Sequence, residues 1–212
     1  MDMKKLAVAA LVLSSLSGGA WAHEAGEFFI RAGTATIRPT EGSDNVLGLG
    51  SFTVDNNTQL GLTFTYMATD NIGIELLAAS PFRSKVGTGP TGTIATVNLL
   101  PPTLMAQWYF FDASSKVRPY IGAGINYTTF FNADFNDTGK ESGLSDLSAT
   151  DSWGAAGQVG VDYLINRDWL INASVWYMDV DTDVKFKAGG ENQTIHTRLD
   201  PWVFMFSAGY RF

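Results

Sequence analysis

The sequence predicts an all-β fold: an eight-stranded antiparallel transmembrane β-barrel with short periplasmic turns and four long extracellular loops. Three observations predict it. Stretches that alternate apolar with small or polar residues recur eight times, the mark of strands whose two faces meet different surroundings. The connections between them are alternately long and short, the rhythm of barrels whose short turns lie on the periplasmic side. The last stretch carries Trp202, Phe204, Phe206, Ala208, Tyr210 and Phe212 on one face, and that face runs to the final residue with no polar tail to shield it. In a barrel such a face meets lipid, with its rings gathered at the interfaces. A soluble β-sandwich explains the alternation but not the long-short rhythm.

At the start of the chain, Lys4-Lys5 precede an apolar run from Leu6 to Leu16, and Ala20-Trp21-Ala22 follows. Basic, apolar and small-residue regions in that order make a secretory signal peptide. The run is well short of the roughly 20 residues a membrane-spanning helix needs. The expected division is therefore 1–22 as a cleaved signal peptide and 23–212 as the barrel. The chain has no cysteine, so an exported protein of this kind must hold together without disulfides. Its formal charge of -7 excludes nucleic acid as a partner, which needs a basic stripe.

The eight stretches fall at about 28–37, 58–67, 72–81, 102–110, 119–130, 153–164, 169–180 and 199–212. Their lengths suit transmembrane strands, which need roughly 9–11 residues at a tilt near 45°. Residues 38–57, 82–101, 131–152 and 181–198 are the long connections. Ala68 to Asn71, Asp112 to Lys116 and Asn166-Arg167-Asp168 are short turns of the Asn, Asp and Ser type. An even strand number puts both chain ends on the periplasmic side.

Parity then separates lipid from lumen. Leu60, Leu62, Phe64 and Tyr66 share one face of the second strand. Ile72, Ile74 and Leu76 oppose Gly73, Glu75 and Leu77; Leu104, Ala106, Trp108 and Phe110 oppose Thr103, Met105, Gln107 and Tyr109. On the sixth strand Trp153, Ala155, Val159, Val161 and Tyr163 oppose Gly154, Ala156, Gln158, Gly160 and Asp162. A lipid-facing charge at the midplane costs up to roughly 2–4 kcal/mol, so Glu75 and Asp162 mark the lumen.

Toward the periplasmic end the lumen-side residues are polar: Glu27 and Arg31 on the first strand, then Glu75, Gln107, Gln158, Asp162 and Arg211. Isolated buried charges are too costly to persist, so these are expected to pair into a closed floor. A structural plug is the plainer reading of that floor, a proton or ion relay the other. Farther out the same parity turns apolar, through Leu77, Met105, Met205, Val203, Trp176 and Met178. A general porin lines its lumen with polar groups, whereas Leu, Met, Val and Trp suit a small apolar ligand. Parity alone leaves open that these side chains only pack against one another.

The residues also carry a resemblance. His23-Glu24-Ala25-Gly26-Glu27-Phe28-Phe29, the run Asn57 to Phe82, and Leu100 to Phe110 are followed by Arg118 to Tyr127, Gly157 to Tyr163 and the terminal Gly209-Tyr210-Arg211-Phe212. Together and in order they resemble the OmpW family of eight-stranded outer-membrane barrels over the whole length after the signal peptide. The resemblance implies a bacterial outer-membrane channel for passive movement of small hydrophobic molecules. It further implies an apolar lumen over a closed floor, sideways release through the wall into the bilayer, and a hydrophobic gate whose matching positions are Leu77 and Trp176. Outer-membrane lipid, lipopolysaccharide and, through the terminal Phe212, the outer-membrane assembly machinery are the partners it implies. The stretch Asp44 to Gly50 matches least well.

Two other function classes remain to be weighed. A structural barrel or a surface receptor would act through the four long loops. A lipid-acting enzyme would need a nucleophile beside a base, but His23 and His196 are the only histidines and neither sits at strand-core parity next to a serine. No enzyme activity, cofactor or metal is expected. Asp179, Asp181 and Asp183 form a D-x-D-x-D run without the Gly and Glu of a calcium loop. By parity they continue the outer face of Val175 and Tyr177, as a solvated or bulged rim or as a contact for divalent cations and lipopolysaccharide headgroups.

Overall fold

In a computed structural model the chain is described over residues 23–40, 42–48, 50–88 and 92–212. Residues 1–22, expected to be the signal peptide, lie outside the described residues. Among the described residues fifteen strands are formed: β1 (Phe28–Arg38), β2 (Gly42–Ser43), β3 (Phe52–Val54), β4 (Asn57–Met67), β5 (Ile72–Ala79), β6 (Phe82–Thr88), β7 (Gly92–Leu100) and β8 (Thr103–Tyr109) in the first half. Then come β9 (Val117–Phe135), β10 (Leu144–Ala149), β11 (Ser152–Leu164), β12 (Trp169–Met178), β13 (Asp181–Ala188), β14 (Glu191–Arg198) and β15 (Trp202–Arg211).

Eight of them close a barrel. β1 pairs with β4, β4 with β5, β5 with β8, β8 with β9, β9 with β11, β11 with β12 and β12 with β15, and β15 returns to β1, every pair antiparallel. Typical registers are Ala32↔Ala208 across the closing pair and Ile125↔Ala155 across β9 and β11. Closure pairs every strand edge, which a sheet in lipid requires. These eight strands match the eight expected ranges to within a few residues at each end. Glu27 lies one residue before β1 rather than on it.

The two faces sort by parity. Leu60, Tyr66, Ile74, Leu76, Leu104, Trp108, Ile121, Ile125, Val159 and Phe206 are exposed on the outside, a continuous apolar belt far larger than a soluble monomer shows. Aromatic pairs stand at both edges of the belt. Trp169 packs edge-on to Tyr210 near the short turns, and Tyr177 with Trp202 and Tyr127 with Trp153 pack near the long connections. Such girdles sit at the two membrane interfaces.

The long connections are not irregular loops, and here the structure extends the sequence reading. β9 runs past the barrel and pairs with β7, which carries β6 and β3 beside it. Facing this sheet is a second one, β10-β13-β14-β2. A short helix, Asp137–Glu141, joins β9 to β10, with Asn136 accepting from the Gly139 amide at its start. The sheets enclose an apolar core of Val46, Phe52, Ile94, Ala95, Phe135, Phe186 and Ile195. Outward on β13 and β14 lie Asp181 opposite Arg198 and Asp183 opposite His196. Asp181 and Asp183 are thus on the solvated side of an alternating hairpin whose pairing with β14 has no register shift, while Asp179 lies just before β13.

Candidate functional site: a chamber over a paired floor

The barrel interior is built in storeys. Nearest the short turns, Phe29, Met67, Tyr109, Tyr120, Leu164 and Leu170 form a small apolar cluster. Within it sits the polar floor. Arg31, Glu75 and Asp162 are essentially inaccessible to solvent. The Arg31 guanidinium bridges Glu75 and Asp162 and also donates to the Tyr109 hydroxyl at 2.8 Å and Thr65 Oγ1 at 3.0 Å. Its flat face lies 4.6 Å over the Phe29 ring, a contact that suits a weakly hydrated, planar cation.

The amides complete the floor. Gln107 Nε2 donates to Glu75 Oε1 at 2.7 Å and to Gln158 Oε1 at 2.9 Å, and Gln158 Nε2 donates to Glu75 Oε1 at 2.9 Å. Asn172 Nδ2 donates to Asp162 Oδ1 at 2.7 Å and to the Tyr120 hydroxyl at 3.0 Å. A Cβ at Gly160 would collide with the Tyr120 ring, so glycine there makes room for that ring in the lumen. Glu75 and Asp162 therefore each hold several charge-assisted bonds, the condition under which buried carboxylates persist.

Five of the seven expected floor residues, Arg31, Glu75, Gln107, Gln158 and Asp162, join this one network. Glu27 and Arg211 form a separate ion pair at the mouth. His23 links the two, with Nε2 2.9 Å from Asp162 Oδ2 and Nδ1 3.4 Å from Glu27 Oε2. Its ring stacks on Phe29 at 4.5 Å. Gly26, at φ +90°, bends the segment before β1 back into the barrel mouth, and its amide donates to the Met67 carbonyl. Arg118 fastens the same segment by donating to the carbonyls of His23 at 3.1 Å and Asp70 at 2.8 Å. Parity could have found Arg118 and Tyr120, which share the face of Gly122 and Gly124. It could not have found His23, which lies on no strand.

Above the floor, Leu77, Met105, Trp176, Met178, Val203 and Met205 are all buried in one cluster with Ala35, Ile37 and Leu99. Every expected chamber residue is in it. The Trp176 indole N–H donates to Ser174 Oγ at 3.2 Å, which orients the ring and satisfies its polar atom. Higher still is a cavity of about 50 Å³ between the two outer sheets, bounded by Phe52, Val86, Phe130, Leu147 and Leu199 among others, with only Thr182 and Thr197 polar. A smaller space of about 10 Å³ shares Val54, Leu99 and Leu199 with it and reaches Ile37 and Val180. Ile37, Leu99, Val180 and Leu199 also belong to the buried cluster that holds Trp176, so mostly apolar side chains, with Thr128 among them, continue from the outer sheets into the barrel interior.

The acidic rim is a separate feature. Carboxylate oxygens of Asp179, Asp181 and Asp200 lie within 4.8 Å of one another. Partial desolvation and then the Asp181 and Asp200 charges push the Asp179 carboxyl above the usual carboxylate range. Arg198 faces Asp181 and Asp200 at 3.8 and 3.7 Å.

Known proteins agree with this architecture. The chain is 76% identical over 212 residues to Outer membrane protein W of Escherichia coli (strain K12), covering 99% of this chain and 100% of that protein. Among solved structures it is similar to the outer membrane protein OprG of Pseudomonas aeruginosa, with a TM-score of 0.85 at 42% identity over 90% of this chain and 98% of that one. A more distant relative, 29% identical over 167 residues and covering 77% of this chain and 75% of the other, is the Dibenzothiophene metabolism operon protein PahQ of Pseudomonas aeruginosa. The OmpW family model matches residues 24–212. With its closed eight-stranded barrel and lipid-facing belt, the chain is an outer-membrane protein and belongs to the OmpW family.

Proposed function

We propose that the protein carries small hydrophobic molecules passively across the outer membrane, through the chamber gated by Leu77 and Trp176. The observation that carries this reading is the succession of mostly apolar side chains from the outer sheets into the cluster around Trp176, ending on a floor whose charges are paired. An apolar solute gains about 0.8 kcal/mol per methylene buried along such a path, while a polar solute loses water without replacement partners. The open space is only about 50 Å³ at the top, so passage requires side chains to yield. Met105, Met178 and Met205 suit that role, being unbranched and adaptable. Because the floor blocks the straight route, release goes sideways through the wall into the bilayer. The relative PahQ supports the solute class, since its name ties it to dibenzothiophene metabolism and dibenzothiophene is an apolar aromatic compound. Export by the signal peptide and recognition of Phe212 by the assembly machinery would deliver the barrel to this membrane.

The test is solute flux into liposomes carrying the folded protein. Trp176→Ala is expected to speed entry of an apolar probe, and Leu77→Asp to slow it by placing a carboxylate in the chamber. Entry of a polar probe of the same size should stay at the protein-free level in all three proteins. Equal apolar flux in wild type and both variants would overturn the reading. The ordered outer sheets, with their charged outward face, favour one second reading: a receptor acting through residues 131–152 and 181–198. Apolar flux at the protein-free level, with loss of an external partner on deleting those loops, would be its signature.

A further inference from the structure

At the periplasmic mouth a cleft of about 270 Å³ opens between the turn before β9 and the turn joining β11 to β12. Lys116, Arg167 and Arg211 line it with Ser114, Ser115 and Ile165, and no carboxylate is among its lining residues. That composition stands out in a chain of formal charge -7. The cleft is built on fixed backbone. The Leu164 amide donates to the Lys116 carbonyl at 2.8 Å, holding the two turns together, and the Arg211 amide donates to the Asp168 carbonyl at 2.8 Å. Asn166 Oδ1 accepts from the amides of Asp168 and Trp169, each at 2.9 Å, and so sets the course of the second turn. Arg211 forms the back wall, its side chain nearly buried and paired with Glu27. Lys116 and Arg167 stand exposed at the rim.

The height of the cleft identifies its surroundings. Tyr163, Trp169, Tyr210 and Phe212 are exposed on the lipid side at this end, and amphipathic rings of this kind sit at the headgroup level. Ile165, in the cleft wall, is also exposed. A cationic, hydroxyl-lined recess at that level, with an apolar lip toward the acyl chains, matches one class of ligand. Guanidinium and ammonium groups bind phosphate oxygens by short charge-assisted bonds.

We propose that this cleft binds the phosphate of an inner-leaflet anionic phospholipid. Lys116 and Arg167 take the phosphate, Ser114 and Ser115 donate to its oxygens, and Ile165 meets the first acyl methylenes. The site lies on the periplasmic side of the polar floor and is independent of the transport reading.

Native mass spectrometry of the full folded protein in neutral detergent tests it, with dioleoylphosphatidylglycerol, dioleoylglycerol and inorganic phosphate as probes. Phosphatidylglycerol should be retained, and a K116Q/R167Q double variant should retain it about fivefold less, as expected for loss of two charge-assisted contacts. Lys140→Gln, at the opposite end of the molecule, should leave retention unchanged. Both rim residues are exposed, and heat-resistant gel migration will confirm that the variants fold. Equal retention of dioleoylglycerol, or undiminished phosphatidylglycerol binding by the double variant, would overturn the proposal. Inorganic phosphate bound as tightly as the lipid would overturn the lipid assignment.

Discussion

Arg31 holds the floor together because one planar guanidinium reaches Glu75, Asp162, Thr65 and Tyr109 at once. Its removal would leave two buried carboxylates without their cation. Arg31→Met is therefore expected to destabilise the barrel by about 3–5 kcal/mol. Glu75→Gln keeps the shape and leaves Arg31 paired with Asp162, so its loss should be nearer 1–2 kcal/mol. Urea unfolding from lipid bilayers compares the two, and equal losses would contradict the hub role of Arg31. At this scale the sequence was informative wherever a residue lay on a strand. Glu75 and Asp162 were placed inside because lipid does not tolerate them, and Gln107 and Gln158 followed by parity. His23 was not legible as a floor residue. It reaches Asp162 only because Gly26 turns the chain back into the mouth, a path that no period-two pattern records.

The elements outside the membrane were legible only in part. β13 does alternate, with Thr182, Val184 and Phe186 inward and Asp181, Asp183 and Lys185 outward. Yet its inward side mixes hydroxyl with apolar groups, so the acids stood out as a run rather than as half of a strand. In the facing sheet the phase is broken by register shifts at Val86/Gly87 and Thr96/Asn98, which a bulge imposes and a simple alternation count misses. The acidic rim yields a prediction at this scale. Asp179 holds its proton more tightly in the folded state than in the unfolded one. The stability it contributes is therefore present at low pH and falls as pH rises through its raised value. Asp179→Asn should slow hydrogen exchange in the β13–β14 hairpin near pH 7. The difference should vanish below the usual carboxylate range, around pH 3. A stabilisation that persists unchanged at low pH would contradict the view that desolvation and the neighbouring acidic charges disfavour ionised Asp179.

The whole molecule is a vertical sequence of environments: a sandwich core between the outer sheets, a packed apolar layer in the barrel, a paired polar floor and a small apolar cluster at the mouth. The eight-strand closure and the sidedness of the connections were readable from alternation and loop length, because lipid on one face forces both. The column joining chamber to outer sandwich was not, because it depends on β9 continuing beyond the barrel to pair with β7. In the proposed function, that column is the way in from the outer sheets to the part of the lumen lined by Leu and Met. The most direct measurement is the anomalous scattering of a brominated alkane in crystals of the protein grown from a lipid phase. The account predicts bromine inside the barrel, between the Phe135–Phe186 contact and Trp176, with Met178 and Met205 displaced and no bromine below Glu75. Bromine found only on the lipid-facing surface around Leu60 and Ile125, with the chamber unchanged, would contradict it.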